Sequence, residues 1–146
     1  VTIQNCVMTI DIEPTEASEQ EADDGTSPTN LFIGVRADGG LLLENATLNV
    51  TVLRRTENQK IHAGIAAATG EAKIINCTLN INAASVAVQS NNEPLRLENC
   101  VLDISGGDTA AVMNQFSTID LIGCTGSIIS DSVGVTSQRA DGKITL

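Results

Sequence analysis

Tryptophan and tyrosine are absent from this 146-residue sequence, and Phe32 and Phe116 are its only phenyl rings. A core without large rings must be filled by Ile, Val, Leu and Ala, which suit strands buried on their inner face. The same absence removes the usual stacking platforms for sugar rings. Positive charge is scarce too: 8 Lys and Arg stand against 18 Asp and Glu, a formal net charge of −10. A phosphate-binding surface needs clustered Lys and Arg, so the charge argues against nucleic acid, which is not expected as a partner. The acidic balance by itself names no positive partner. No apolar run approaches the roughly 20 residues that span a bilayer, and no segment of these 146 residues reads as a secretory leader. The sequence opens at Val1 in the middle of a repeat, without an initiator Met. It is therefore expected to be a mature product or a piece of a longer chain.

What is present is a repeat. Five segments superimpose: Val1-Thr-Ile-Gln-Asn-Cys6, Leu41-Leu-Leu-Glu-Asn-Ala46, Ala72-Lys-Ile-Ile-Asn-Cys77, Leu95-Arg-Leu-Glu-Asn-Cys100 and Ile119-Asp-Leu-Ile-Gly-Cys124. Each continues with apolar residues two and four places on: Met8 and Ile10, Leu48 and Val50, Leu79 and Ile81, Leu102 and Ile104. The last repeat has Gly126 and Ile128 there. A second column lies between these segments, at Ile33-Gly-Val35, Ala63-Gly-Ile65, Val86-Ala-Val88, Ala110-Ala-Val112 and Val133-Gly-Val135. Ile144-Thr-Leu146 restarts the first pattern. Cys77 and Cys100 are 23 residues apart and Cys100 and Cys124 are 24 apart, while the earlier steps are lengthened by insertions.

Within a repeat the parity is that of strands. Leu95 and Leu97 are expected to point inward with Arg96 outward, then Cys100, Leu102 and Ile104 inward with Val101 and Asp103 outward. No Asn-Gly or Asp-Gly hairpin turn separates the runs. The pattern predicts an all-β solenoid, a right-handed parallel β-helix of about five coils with three short strands each, forming one domain over residues 1–146. The insertions fall at about 13–29 and 53–60.

Asn5, Asn45, Asn76 and Asn99, replaced by Gly123 in the last repeat, stand where the inward parity breaks for a bend. Asn and Gly tolerate the left-handed conformation such a bend needs. Stacked one per coil, their amides are expected to hydrogen-bond along the column. This Asn column, together with Gly34, Gly64 and Gly134, resembles the right-handed parallel β-helix repeat of the pectate-lyase-like superfamily, over nearly the whole chain. The resemblance implies the fold; that architecture serves lyases, hydrolases, adhesins and passive spacers alike. Cys77, Cys100 and Cys124 fall in one interior column, neighbours about 4.8 Å apart. They are expected to be free thiols packed as small apolar groups. With no Cys-x-x-Cys and His62 as the only His, a zinc site is not expected.

The first insertion carries Glu13, Glu16, Glu19, Glu21, Asp23 and Asp24 with no basic residue. It is expected to be a solvated loop. Glu21, Asp23 and Asp24 before Gly25 echo a calcium loop without its full set of ligand spacings, which makes calcium a weak cofactor candidate. The second insertion holds Arg54, Arg55 and Lys60, which balance the first electrostatically. In the Gly-Ile/Val strand the outward position is read as small in every coil: Gly34, Gly64, Ala87, Ala111 and Gly134. The next reads Arg36, Ala66, Gln89, Met113 and Thr136. A flat strip, with Gly34, Arg36, Gly64, Gln89, Met113 and Thr136 as candidate binding residues, is expected along the stack, open to a ligand or covered by an insertion, a neighbouring domain or another subunit. Sugar-acting β-helix enzymes resembling this chain have their groove in a comparable place.

Catalysis of the lyase or hydrolase kind needs paired carboxylates on neighbouring coils, or calcium-binding acids with an Arg base. The strip offers Arg36 alone, and no catalytic residue is assigned. Arg96 and Asp120 are expected to form a cross-strand ion pair. The expected function is a non-enzymatic structural or adhesive module of a secreted or cell-surface protein, with carbohydrate binding, with or without calcium, as the alternative and a polysaccharide lyase or hydrolase as a more remote one. Its partner would be a glycan or another protein surface. A Thr-bearing outer face with Thr9, Thr47, Thr78 and Thr125 is similar to ice-binding solenoids but follows a looser pattern. The sequons at Asn45, Asn49 and Asn76 are discounted, because two of these Asn belong to the proposed ladder. Uncapped end coils expose strand edges; they are expected to associate with another copy or to be completed by flanking sequence.

Overall fold

A computed structural model of the chain describes residues 1–15, 32–54, 62–138 and 143–146. The first coil holds β1 (Thr2–Gln4), β2 (Val7–Ile12) and β3 (Phe32–Ala37). The second holds β4 (Leu41–Glu44), β5 (Thr47–Val52) and β6 (His62–Ala67), and the third β7 (Ala72–Ile75), β8 (Thr78–Ala83) and β9 (Val86–Ser90). The fourth holds β10 (Leu95–Glu98), β11 (Val101–Gly106) and β12 (Ala110–Asn114), and the fifth β13 (Ile119–Ile122), β14 (Thr125–Ser130) and β15 (Val135–Ser137). β16 (Ile144–Thr145) begins a further turn. Every third strand pairs in parallel. Sheet A runs β1-β4-β7-β10-β13-β16, sheet B β2-β5-β8-β11-β14 and sheet C β3-β6-β9-β12-β15. The chain is a parallel β-helix of about five three-stranded coils.

Registration follows the repeat. Leu95 pairs with Ala72 and Ile119, and Leu102 with Leu79 and Gly126. Leu43, Leu48, Ile74, Leu79 and Leu97 are fully buried, so the inward parity of sheets A and B is as the alternation predicts. At each A-to-B corner the bend rests on one left-handed residue, Asn5, Asn45 and Asn76 at φ 52°, Asn99 at 53° and Gly123 at 61°. Asn76 Nδ2 donates to Asn45 Oδ1 at 3.3 Å, and Asn45 Nδ2 to Asn5 Oδ1 at 3.4 Å. The ladder is shorter than expected. Among the described residues Asn99 makes no side-chain hydrogen bond to Asn76, and Gly123 removes the next amide from the column.

The C-to-A corner is closed by a buried amide. Asn114 Nδ2 donates to the Glu93 carbonyl at 2.8 Å, and its Oδ1 accepts from the amides of Phe116 and Ser117 at 3.0 and 2.6 Å. A buried polar side chain is tolerated when donors and acceptors are matched in this way.

Sheet C departs from the sequence parity. Its ladder pairs Ile33 with Ala63 and Val35 with Ile65 but skips Gly34 and Gly64, and likewise skips Ala87 and Ala111 one and two coils on. A Cβ built on Gly34 would lie 2.5 Å from Val50 Cγ1 and 2.7 Å from the Gly64 carbonyl oxygen. One on Gly64 would overlap Ile81 Cγ2. Ala87 and Ala111 belong to the main core, whereas Val86, Ala110 and Met113 form a separate cluster. Two successive residues thus face inward, Gly34 with Val35 and Gly64 with Ile65. The small column lines the interior, where sheet C approaches the side chains of sheet B, and is not an outward strip.

Candidate functional site

Two outer faces bring polar groups into rows. On sheet C, Arg36 pairs with Ala66, Ala66 with Gln89, Gln89 with Met113 and Met113 with Thr136. Arg36, Gln89, Met113 and Thr136 therefore share one outward row, while Gly34 and Gly64 drop out of it because they face the core. The row is not bare: Gln89 is 6% and Met113 3% exposed. Gln138 Nε2 reaches Met113 Sδ at 3.4 Å. At its first-coil end lies a shallow pocket of about 150 Å³ with Ile33 and Ala66–Ala68 as its apolar lining. Arg36 and the pair Gln89 and Asn91, whose amides bond at 2.7 Å, supply its polar groups. Arg36 is already neutralised by Asp38 at 2.7 Å. Such a hollow suits a small group carrying both a hydrocarbon edge and hydrogen-bonding atoms.

The outer face of sheet B is more regular. One row runs Val7, Thr47, Thr78, Val101 and Thr125, the next Thr9, Asn49, Asn80, Asp103 and Ser127, and the third Asp11, Thr51, Asn82, Ser105 and Ile129. Hydrogen bonds run along the rows. Asn80 Nδ2 donates to Asn49 Oδ1 at 2.7 Å, Asn49 Nδ2 to Thr9 Oγ1 at 3.4 Å and Ser127 Oγ to Asp103 Oδ1 at 3.3 Å. Asn80 donates toward the first coil, and Asp103 accepts from Ser127 on its other side. Two acceptors, Asn80 Oδ1 and the Asp103 carboxylate, therefore meet at the centre of the face. Around them lies an open hollow of about 270 Å³, bordered also by Thr51, Asn82 and Ser105.

A third cluster is not legible in the sequence. Arg54, at the start of the second insertion, reaches along the B-to-C corner to Asp108 at 2.7 Å and to Ser85 Oγ at 2.8 Å. Ser85 Oγ also accepts from the backbone amide of His62 at 3.3 Å. Asp108 is held below its ordinary carboxyl value, first by the hydrogen bond from Arg54 and against the opposing pull of desolvation. His62 is fully buried, stacked on Phe32 at a centroid distance of 5.0 Å. Arg54 Nε is buried without a hydrogen-bond partner among the described residues. The cluster clamps three coils together.

The thiols are free. Cys77 and Cys100 are buried, Cys6 and Cys124 half-buried. Cys77 is drawn down to about 7, chiefly because the Cys100 thiol hydrogen-bonds to it. The same bond and burial push Cys100 up. Arg96 is registered against Asp120 but bonds Glu98 instead, at 2.7 Å. Glu98 lies on the same outward side two residues along, which makes it the easier partner. The calcium candidates Glu21, Asp23 and Asp24 lie outside the described residues. Among those described, no group of three or more His, Cys, Asp or Glu side chains could hold a metal. No helix among them is long and apolar enough to cross a membrane. No protein-family model, curated protein or solved structure significantly matches the chain.

Proposed function

We propose that the chain is a non-enzymatic structural or adhesive module of a secreted or cell-surface protein, built on a repeat of the pectate-lyase-like kind. The supporting observation is the outer face of sheet B, where Thr, Asn, Asp and Ser side chains stand in register across the five coils. A rigid parallel scaffold holds such groups about 4.8 Å apart, so a partner meets a fixed grid rather than a loop that must first be ordered.

The second reading, carbohydrate binding, is favoured by the acceptor pair at Asn80 and Asp103 and by the hollow around it. Sugar hydroxyls donate and accept at once, and they match a surface of amides, hydroxyls and one carboxylate. A lyase or hydrolase would call for a second carboxylate facing the first; the register neighbours of Asp103 are Asn80 and Ser127.

A glycan array probed with and without a chelator separates these readings. Silence across the array, with no reducing ends or unsaturated products released from polysaccharides, is the expected result for a scaffold. Glycan signal lost in Asn80→Ala and Asp103→Ala would establish the carbohydrate reading, and loss on chelation would add calcium. Released products would overturn the non-enzymatic proposal.

A further inference from the structure

The outer face of sheet B carries charge of one sign only. Its three outward rows include two carboxylates, Asp11 and Asp103, and no Lys or Arg. Elsewhere Asp38 is matched by Arg36, Glu71 by Lys73, Glu98 by Arg96, and Asp108 at the corner by Arg54. Among the described residues Asp103 is bonded by a single hydroxyl, that of Ser127 at Oδ1. Asn80 Nδ2 is turned to Asn49, and Ser105 Oγ donates to Asn82 Oδ1 at 3.1 Å. Asn80 Oδ1 and Asp103 Oδ2 are thus left without a donor beside the open hollow of about 270 Å³. Val101, on the same side of β11 and two residues before Asp103, is an exposed hydrophobic.

We propose that sheet B docks a partner protein through a lysine, whose ammonium enters this hollow and donates to Asp103 Oδ2 and Asn80 Oδ1. The inference rests on the reading of sheet B as a recognition face and adds the sign and chemistry of what it recognises. An ammonium has three donors and no acceptor, which suits two oxygens on adjacent coils. A guanidinium fork wants both oxygens of one carboxylate, and here Ser127 holds one of them. The methylene stem of a lysine can lie along Val101 while its head stays wet, whereas the ring of an amino sugar bears hydroxyls in place of that stem. The net charge of −10 draws a cationic partner toward the chain.

Residue-resolved NMR of the 146-residue chain tests this by titration with three probes: a short peptide alternating Lys and Ser, its Nε-acetylated form, and a glucosamine oligomer. The lysine peptide is expected to shift resonances centred on Asn80 and Asp103, to bind more tightly than the other two, and to weaken as salt is raised. At physiological salt Asp103→Asn should reduce its affinity about three- to fivefold, the size of one exposed ion pair. Asp120→Asn, which removes the same charge from sheet A, should leave the affinity unchanged. Equal binding of the acetylated peptide, or equal losses in the two variants, overturns the proposal. Glucosamine binding as tightly as the lysine peptide overturns the protein partner in favour of a glycan. Neutral glycans shifting Asn80 and Asp103 while the lysine peptide does not would overturn the inference and leave the carbohydrate reading standing. Silence of this face toward every probe overturns the inference and leaves the scaffold alone.

Discussion

The inner coils and the end coils are written in the same sequence pattern, yet they bury it to different degrees. Leu48 and Leu79 are fully buried between neighbours above and below, whereas Met8 and Ile10 in the first coil and Ile128 in the fifth are only partly buried. A side chain's stabilisation here depends on how many coils flank it rather than on its own hydrophobicity. That is the behaviour of a one-dimensional stack, whose stability is a sum of repeat and nearest-neighbour terms.

The largest expected contrast is between a charge placed inside and the same charge placed at the edge. Leu97→Asp buries a carboxylate in a fully enclosed position. The cost of several kcal/mol is comparable to the whole stability of a domain, so no cooperative melt should remain. Ile3→Asp, in the half-exposed first coil, should melt cooperatively with a loss of about 1–2 kcal/mol. Equal tolerance of both changes in thermal unfolding would erase the distinction between inner and end coils.

A smaller contrast comes from two glycines of one column. A Cβ at Gly64 would overlap Ile81 and lie 2.7 Å from the Ala87 carbonyl oxygen, while one at Gly134 would meet nothing within 4 Å. Gly64→Ala should therefore cost about 1–3 kcal/mol through overpacking. Gly134→Ala should be neutral or stabilise by up to about 1 kcal/mol, because it restricts the unfolded chain. Chemical denaturation of both variants measures the pair, and a harmless Gly64→Ala would return that column to the outer face.

The smallest effect is at the corner clamp. Asp108 has a folded-state value below its unfolded one, near 3.9. Its pairing with Arg54 therefore stabilises fully above that pH and fades as pH falls through the lower, folded value. Arg54→Ala should cost about 1 kcal/mol at neutral pH, as expected for a part-exposed pair with one added hydrogen bond. The difference from the parent should narrow below about pH 4. A difference that is constant with pH would assign the loss to packing of the Arg54 stem instead.

The coil count, the three sheets and the parity of sheets A and B were legible because alternation in Leu95-Arg-Leu97 or Cys100-Val-Leu102 has one solution with a buried face. Sheet C was not legible in the same way. Ile33, Ala63, Val86 and Ala110 are as apolar as their neighbours, so alternation alone could not say that Gly34 and Gly64 share the inward side with Val35 and Ile65. The clue was the size of the column itself: an outward position has no reason to stay as small as Gly or Ala in all five coils, whereas a crowded inward one does. The Arg54–Asp108–Ser85 clamp joins residues up to 54 positions apart through corners that carry no periodic signal. Asn99 was expected in the amide ladder from its position; its backbone conforms at φ 53°, but its side chain does not join the Asn76 amide.

Amide hydrogen exchange resolved by residue tests the stacked architecture most directly, since it reads the protection of each ladder in turn. A solenoid paired as β2-β5-β8-β11-β14 predicts the slowest exchange in β5, β8 and β11, which are paired on both sides, and faster exchange in the edge strands β1, β2, β14 and β16, which are paired on one. Protection that is uniform along the chain, or greatest in β1 and β2, would contradict it.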